Sequence, residues 1–159
     1  KMWMSLYHEY NLPIHIFRLA GIYGPRRNIL VRILNGKSKS IIKAGQIFSR
    51  IHVEDICRAL IASIKNPTPG EIYNLSDNLP SSPQEIDDYA THLLHKPPLD
   101  RINFNDANLS AMAKEFYQDS RKVSNKKLIK QFNFELIYPT YKEGLQSLYK
   151  QLPDDPKVS

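Results

Sequence analysis

Phe17-Arg18-Leu19-Ala20-Gly21-Ile22-Tyr23-Gly24-Pro25 decides the fold. Pro13, Ile14, Ile16, Phe17 and Leu19 lead into it, and Gly21 with Gly24-Pro25 closes it. A short apolar run bounded in this way reads as a buried strand with a loop at its C-terminal end. Open α/β sheets take their ligands outside the carboxyl ends of their strands. The loop over residues 19–23 is therefore the first place to expect a ligand.

Upstream, Trp3, Leu6, Tyr7 and Tyr10 recur at i, i+3, i+4 and i+7, one face of a helix. No cap precedes that pattern, so it is expected to be the end of a longer helix. Downstream, Ile29, Leu30, Ile33 and Leu34 form a short helix stopped by Asn35-Gly36. Residues 40–53 read as two strands about Ala44-Gly45-Gln46, a hairpin candidate. Glu54 and Asp55 suit the positive end of the next helix. Its stripe is Val53, Ile56, Cys57, Leu60, Ile61 and Ile64. Ile56, Leu60, Ile61 and Ile64 are expected to face the core together, with Cys57 a small buried hydrophobe.

A turn at residues 67–70 leads to a strand over 71–75. Ser82-Pro83-Gln84-Glu85 has the pattern of an N-cap, a first-turn proline and a capping-box glutamate. Ile86, Tyr89, Ala90, Leu93 and Leu94 carry that helix, and Pro97-Pro98 follows its end. A strand is expected over 99–104 and a helix over 109–117. Ser124 caps a basic helix through Lys130, residues 132–137 are extended, and 140–152 form a helix with Tyr141, Leu145, Leu148 and Leu152 on one face. Residues 153–159 read as a flexible tail. Strands alternate with helices, so the class is α/β.

Composition narrows the function. The 159 residues, 42% apolar, suit one domain or part of a larger one. No run of 18 apolar residues occurs, so no membrane partner is expected. Cys57 is the single cysteine, which excludes a disulfide framework and a cysteine-cluster zinc site, and the cytoplasm is the default compartment. His92 and His95 share a helical spacing without a third ligand nearby, so no metal is assigned. The net charge of +6 is spread along the chain, which reads as solvated faces rather than a nucleic-acid surface. No Gly-x-Ser-x-Gly elbow occurs.

Four segments then fall in a known order. Phe17-Arg18-Leu19-Ala20-Gly21-Ile22-Tyr23-Gly24-Pro25 is followed by IHVEDICRAL (51–60), GEIYNLSDNLPSSPQEI (70–86) and SRKVSNKKLIKQFNFELIYPTYKEGL (120–145). Together they resemble the extended short-chain dehydrogenases/reductases, the NAD(P)-dependent epimerase/dehydratase family. The resemblance runs over residues 1–152 and matches the C-terminal half of that family. It implies an α/β chain: the C-terminal part of a Rossmann-like NAD(P)-binding fold with a small substrate-binding α/β portion.

It also implies what lies elsewhere. The family binds NAD or NADP with a Gly-rich loop and catalyses with Tyr-x-x-x-Lys. Gly21 and Gly24 have part of that loop's spacing, but Pro25 and Arg27 follow, so they read as a turn. Tyr138 and Lys142 have the Tyr-x-x-x-Lys spacing, but Pro139 pushes Tyr138 out of a helix. The resemblance thus implies a fragment of an NAD(P)-dependent oxidoreductase, epimerase or dehydratase, with an incomplete cofactor site and no turnover alone. Leu19, Ala20, Gly21, Ile22 and Tyr23 would face the nicotinamide, where small Ala20 and Gly21 admit a flat ring. The competing reading is an ordinary strand-to-loop turn.

Arg27, Asn28 and Arg50 are the candidate substrate-binding residues, for a small and anionic molecule; solvated charge is the competing reading. Many family members that take nucleotide sugars have Asn at position 21 and Arg at position 48, where this chain has Gly21 and Phe48. Arg50 lies on the same strand face as position 48. Arg18 and His52 read as structural hydrogen-bonding groups. The family resemblance allows a homodimer of the full-length parent. Two alternatives remain open at this point: a non-catalytic dinucleotide-binding sensor of the same fold, and a basic nucleic-acid-binding domain.

Overall fold

Three pairs of short strands, all parallel, carry the chain, and helices make the connections between them. The computed structural model describes residues 2–117 and 119–153. Most of the tail expected over 153–159 lies outside the described residues.

Helix α1 (Met2–Tyr10) precedes β1 (Ile16–Leu19), and β2 (Gly21–Tyr23) follows after a single residue. Helix α2 (Ile29–Leu34) starts at an Asn28 N-cap, whose Oδ1 accepts from the Val31 amide at 3.0 Å. Its Nδ2 donates to the Gly24 carbonyl at 2.9 Å, tying the cap to the turn before it. Strands β3 (Lys39–Ile42) and β4 (Arg50–His52) lead into α3 (Val53–Lys65) and β5 (Ile72–Leu75). Helix α4 (Pro83–Leu93) has the full capping box of Ser82 and Glu85. Then come β6 (Asp100–Asn103), a 3-10 turn (Phe104–Asp106), α5 (Ala111–Phe116), α6 (Lys126–Phe132) and α7 (Tyr141–Lys150). Thr140 and Glu143 cap α7 with a second box.

The pairing departs from the sequence reading at 40–53. Both strands and the Ala44-Gly45 turn exist, but they form no hairpin. Strand β3 pairs with β6, Ser40 opposite Arg101, and β4 pairs with β2, Ile51 opposite Ile22. Both are parallel partners distant in sequence, and a turn signal carries no information about them.

Two apolar clusters hold the elements. Tyr23, Leu30, Ile33, Ile86, Ala90, Tyr141, Leu145 and Leu148 pack α2, α4 and α7 together. Ile51, Ile56, Ala59, Tyr73, Leu75, Leu128 and Phe134 join β4, β5, α3 and α6. Helix α3 forms where expected but turns differently. Asp55, Ile56, Ala59 and Ser63 are buried, while Leu60, Ile61 and Ile64 are exposed, Ile64 by 77%. Cys57 is exposed as well, so it is no core residue.

Helix α3 is rotated by its polar contacts. The buried Asp55 carboxylate accepts from the Ile137 amide at 2.8 Å and the Tyr138 amide at 3.1 Å. The first of those bonds falls at residue 137, the end of the segment expected to be extended over 132–137; Phe132 instead closes α6 (Lys126–Phe132), and 134–136 join no strand. Trp3 and Tyr10 on α1 are also exposed, and β1 is half-buried at Ile16 and Phe17 and exposed at Arg18 and Leu19. The expected buried strand is thus only partly covered by this chain. Asn125 holds the N-cap position of α6 without a side-chain cap bond, and the Ser124 hydroxyl accepts from the Lys126 amide at 3.4 Å.

Candidate functional site

The chain changes sheet partners within one residue. Leu19, the last residue of β1, lies opposite Leu75, and the Ala20 amide donates to the Leu75 carbonyl at 3.0 Å. The next amide, Gly21, donates instead to the Ser49 carbonyl at 3.1 Å, and Gly21 then lies opposite Arg50 on β4. The Asp77 amide closes the junction by donating to the Arg50 carbonyl at 2.6 Å. The ends of β1 and β5 therefore meet the starts of β2 and β4. The stretch expected as a loop is a strand, one residue and a second strand.

That junction places the sequence candidates unequally. Leu19, Gly21 and Ile22 are exposed, Ala20 is half-buried, and Tyr23 is in the core. A side chain at Gly21 would not collide with the chain itself: a Cβ would lie 3.4 Å from the Ser49 carbonyl and 3.8 Å from Arg50 Cγ. Tyr23 is different. Its phenol packs against the backbone of α7 at Gly144, and its hydroxyl is buried without a partner. Burial pushes that phenol well above its ordinary range, with the Asp77 and Asp55 charges adding to the effect. Its side chain is a wedge between β2 and α7.

Arg50 stands beside Gly21 and is half-buried. Its Nη1 donates to the Phe48 carbonyl and to the Ser81 carbonyl, both at 3.0 Å. Burial disfavours its charged form, and the nearby Asp77 opposes that effect. Asp77 is buried too. Its Oδ1 accepts from the Leu79 amide at 3.2 Å, and Oδ2 has no partner. Burial raises the Asp77 carboxyl to about 7. Arg27 is exposed, and Asn28 spends its amide on the helix cap and the Gly24 carbonyl. The junction therefore brings Arg50 to the Gly21 face.

His52 is the N-cap of α3, accepting from the Glu54 amide at 3.3 Å through Nδ1, and burial lowers its proton affinity. Its ring lies 4.1 Å, centroid to centroid, from Tyr138 and 5.1 Å from Tyr23. The segment around Asp55 is thus a structural clasp. Tyr138 precedes α7 and bonds to Glu54 at 3.0 Å, while Lys142 lies over the Tyr89 ring. The two do not share a helix face. Arg18 is exposed.

Two open concavities lie away from the junction. One, about 390 Å³, is lined by Ile42, Lys43, Ala44 and the turn after β6; the other, about 250 Å³, lies between α3 and Phe134. Leu19, Ala20, Gly21, Ile22 and Tyr23 line neither.

Sequence reasoning missed Asp77, Gly144 and the cap role of Asn28. Asn before an apolar helical run is a readable N-cap signal. Glycine inside a helical pattern signals a close approach. Nothing in the sequence marks Asp77.

No protein-family model matches the chain, and no curated protein does. Solved structures do. A functionally unknown conserved protein from Silicibacter pomeroyi DSS is 42% identical, with a TM-score of 0.86, over 94% of this chain and 51% of that one. The dTDP-glucose 4,6-dehydratase of Bacillus anthracis, in complex with NAD, is 22% identical, with a TM-score of 0.74, over 94% and 47%. The UDP-glucuronic acid 4-epimerase of Bacillus cereus, in complex with UDP-glucuronic acid and NAD, is 18% identical, with a TM-score of 0.71, over 94% and 49%. The chain spans about half the length of each. Its architecture is α/β with parallel strand pairs, and it shares the Rossmann-like fold of these dehydratase and epimerase structures. Among the described residues no helix is long and apolar enough to cross a membrane.

Proposed function

We propose that this chain is the C-terminal half of an NAD(P)-dependent oxidoreductase of the epimerase/dehydratase type. On this reading Leu19, Ala20, Gly21 and Ile22 face the nicotinamide, and the elements from β3 to α7 cover the substrate. The partner change at Ala20 carries the proposal. It leaves an exposed backbone and two exposed apolar side chains at the carboxyl end of a parallel strand pair. Open α/β sheets hold their ligands outside the carboxyl ends of their strands.

The residues present fit part of a dinucleotide. Leu19 and Ile22 offer apolar surface for a flat ring, and Gly21 keeps the backbone uncovered. The described residues contain no glycine-rich turn at a helix start for the pyrophosphate, so that part of the site belongs to the other half. Hydride acceptance and return are the chemistry the dinucleotide supplies when bound. This chain's own residues shape, orient and dry the face beside it. The exposed apolar groups on α3 and α1 support the same reading, because they are surfaces a second half would cover.

Gly21 supplies the test. A methyl group there meets only ordinary contacts within the chain. In the protein that carries both halves, Gly21→Ala is expected to weaken NAD(P) binding by about tenfold, worth about 1.4 kcal/mol, with an unchanged melting temperature. Unaltered cofactor affinity in that variant would contradict the assignment.

A further inference from the structure

We infer that Arg50 is a carboxylate receptor, and that the substrate taken beside Gly21 is a small hydroxy acid rather than a nucleoside diphosphate sugar. This rests on the reading of the junction as the ligand face. It adds the chemical class of what binds there.

Only one edge of the Arg50 guanidinium is in use. A guanidinium has five N–H groups in a rigid plane. Nη1, the nitrogen cis to Cδ, directs its two hydrogens to the carbonyls of Phe48 and Ser81. Those bonds fix the plane. What remains is the opposite edge, Nε–H with the adjacent Nη2–H. These two point the same way and match the two oxygens of one carboxylate. Among the described residues that edge has no partner and Arg50 has no carboxylate at ion-pair distance, yet neither nitrogen is a sealed orphan. It is a pre-oriented fork that is not sealed off by the chain.

A half-buried cation without a counter-ion is costly, and an arginine relieves the cost by binding an anion rather than by losing its proton. Asp77 does not fill that role. Its Oδ1 takes the Leu79 amide, and its Oδ2 is buried without any hydrogen bond. At neutral pH its carboxyl, raised to about 7, also carries only part of its charge. The register sets the location: Arg50 lies opposite Gly21, and a Cβ on Gly21 would meet Arg50 Cγ at 3.8 Å. An acid gripped by the fork is thereby assigned to the sheet face that Arg50 shares with Gly21. A diphosphate presents two charged groups, and Arg50 offers one fork. Position 48 on the same strand face holds a buried phenylalanine, 4% exposed.

The test follows the Arg50 Nε–H resonance of the ¹⁵N-labelled chain during titration with L-lactate, inorganic phosphate and UDP. Lactate is expected to move that resonance and the Gly21 amide saturably, with a Kd of about 1–10 mM. Phosphate and UDP are expected to bind no tighter than lactate. Arg50→Lys keeps the charge and loses the fork, and is expected to weaken lactate by about tenfold or more. If that variant fails to fold, the shift map of the wild-type chain decides.

An unmoved Arg50 resonance in the folded chain would overturn the proposal. So would lactate binding unaltered in folded Arg50→Lys, or UDP binding tenfold tighter than lactate. The two readings fail separately. If Gly21→Ala leaves NAD(P) affinity intact while lactate still shifts Arg50, the cofactor assignment falls and the carboxylate receptor stands.

Discussion

Helices α3 and α7 are both amphipathic, and they use their apolar stripes in opposite ways. On α7, Tyr141, Leu145 and Leu148 are all buried against α2 and α4. On α3, Leu60, Ile61 and Ile64 point outward, and the inward side is Asp55, Ile56, Ala59 and Ser63. Periodicity makes a helix in both cases. Which face is covered depends on what else is present. Helix α7 is seated by Gly144, where the Tyr23 phenol reaches its backbone. Helix α3 is seated by a carboxylate that holds the chain before α7. One helix is finished by this chain, and the other leaves apolar surface over.

The largest effect is expected at Gly144. A methyl group there overlaps the Tyr23 phenol, which is itself buried in the core. Gly144→Ala is expected to cost about 3 kcal/mol or more, beyond the gain in helix propensity. Gly144→Ala with Tyr23→Phe should recover part of it, because the hydroxyl is the nearest of the overlapping atoms. Thermal melts of the single and double variants check this.

The two stripes separate next. Leu145→Ala, at 2% exposure, should cost about 3 kcal/mol through the cavity it leaves. Leu60→Asp, on the 41% exposed stripe of α3, should stay within about 0.5 kcal/mol of wild type in this chain. Urea melts give both values, and a large loss for Leu60→Asp would mean that α3 buries its apolar stripe after all.

Asp77 gives a smaller and pH-dependent effect. Its carboxyl is raised from 3.8 to about 7 by burial, so between those values the folded chain holds a proton that the unfolded chain has lost. Its contribution to stability is complete below about 4 and is lost as pH rises through about 7. Asp77→Asn keeps the bond to the Leu79 amide and cannot ionise. It should match wild type near pH 4 and exceed it by about 2 kcal/mol at pH 8. Melts at the two pH values measure the difference.

Local features were legible and long-range ones were not. Ser82 with Glu85 announced a helix start because a capping box is complete within four residues. The alternation of strands and helices gave the α/β class for the same local reason. The hairpin at Ala44-Gly45 failed because β3 and β4 take parallel partners far along the chain. Cys57 and Leu60 failed because a stripe does not say whether its cover is in the same chain. At the candidate site, Gly21 was legible as an uncovered backbone position. Arg50 was legible as a charge on the right strand, but the use of Nη1 that leaves its fork open depends on Ser81, which sequence does not bring near.

On the proposed reading, the Ala20–Gly21 junction is one wall of a dinucleotide site whose other wall is elsewhere. The most direct measurement is a titration of the ¹⁵N-labelled 159-residue chain with NAD⁺ and NADPH, following the amides of Ala20, Gly21 and Ile22. Weak binding is expected, with a Kd of about 1 mM or above, and shifts centred on those three amides. Micromolar affinity, or shifts centred elsewhere with those amides still, would contradict it.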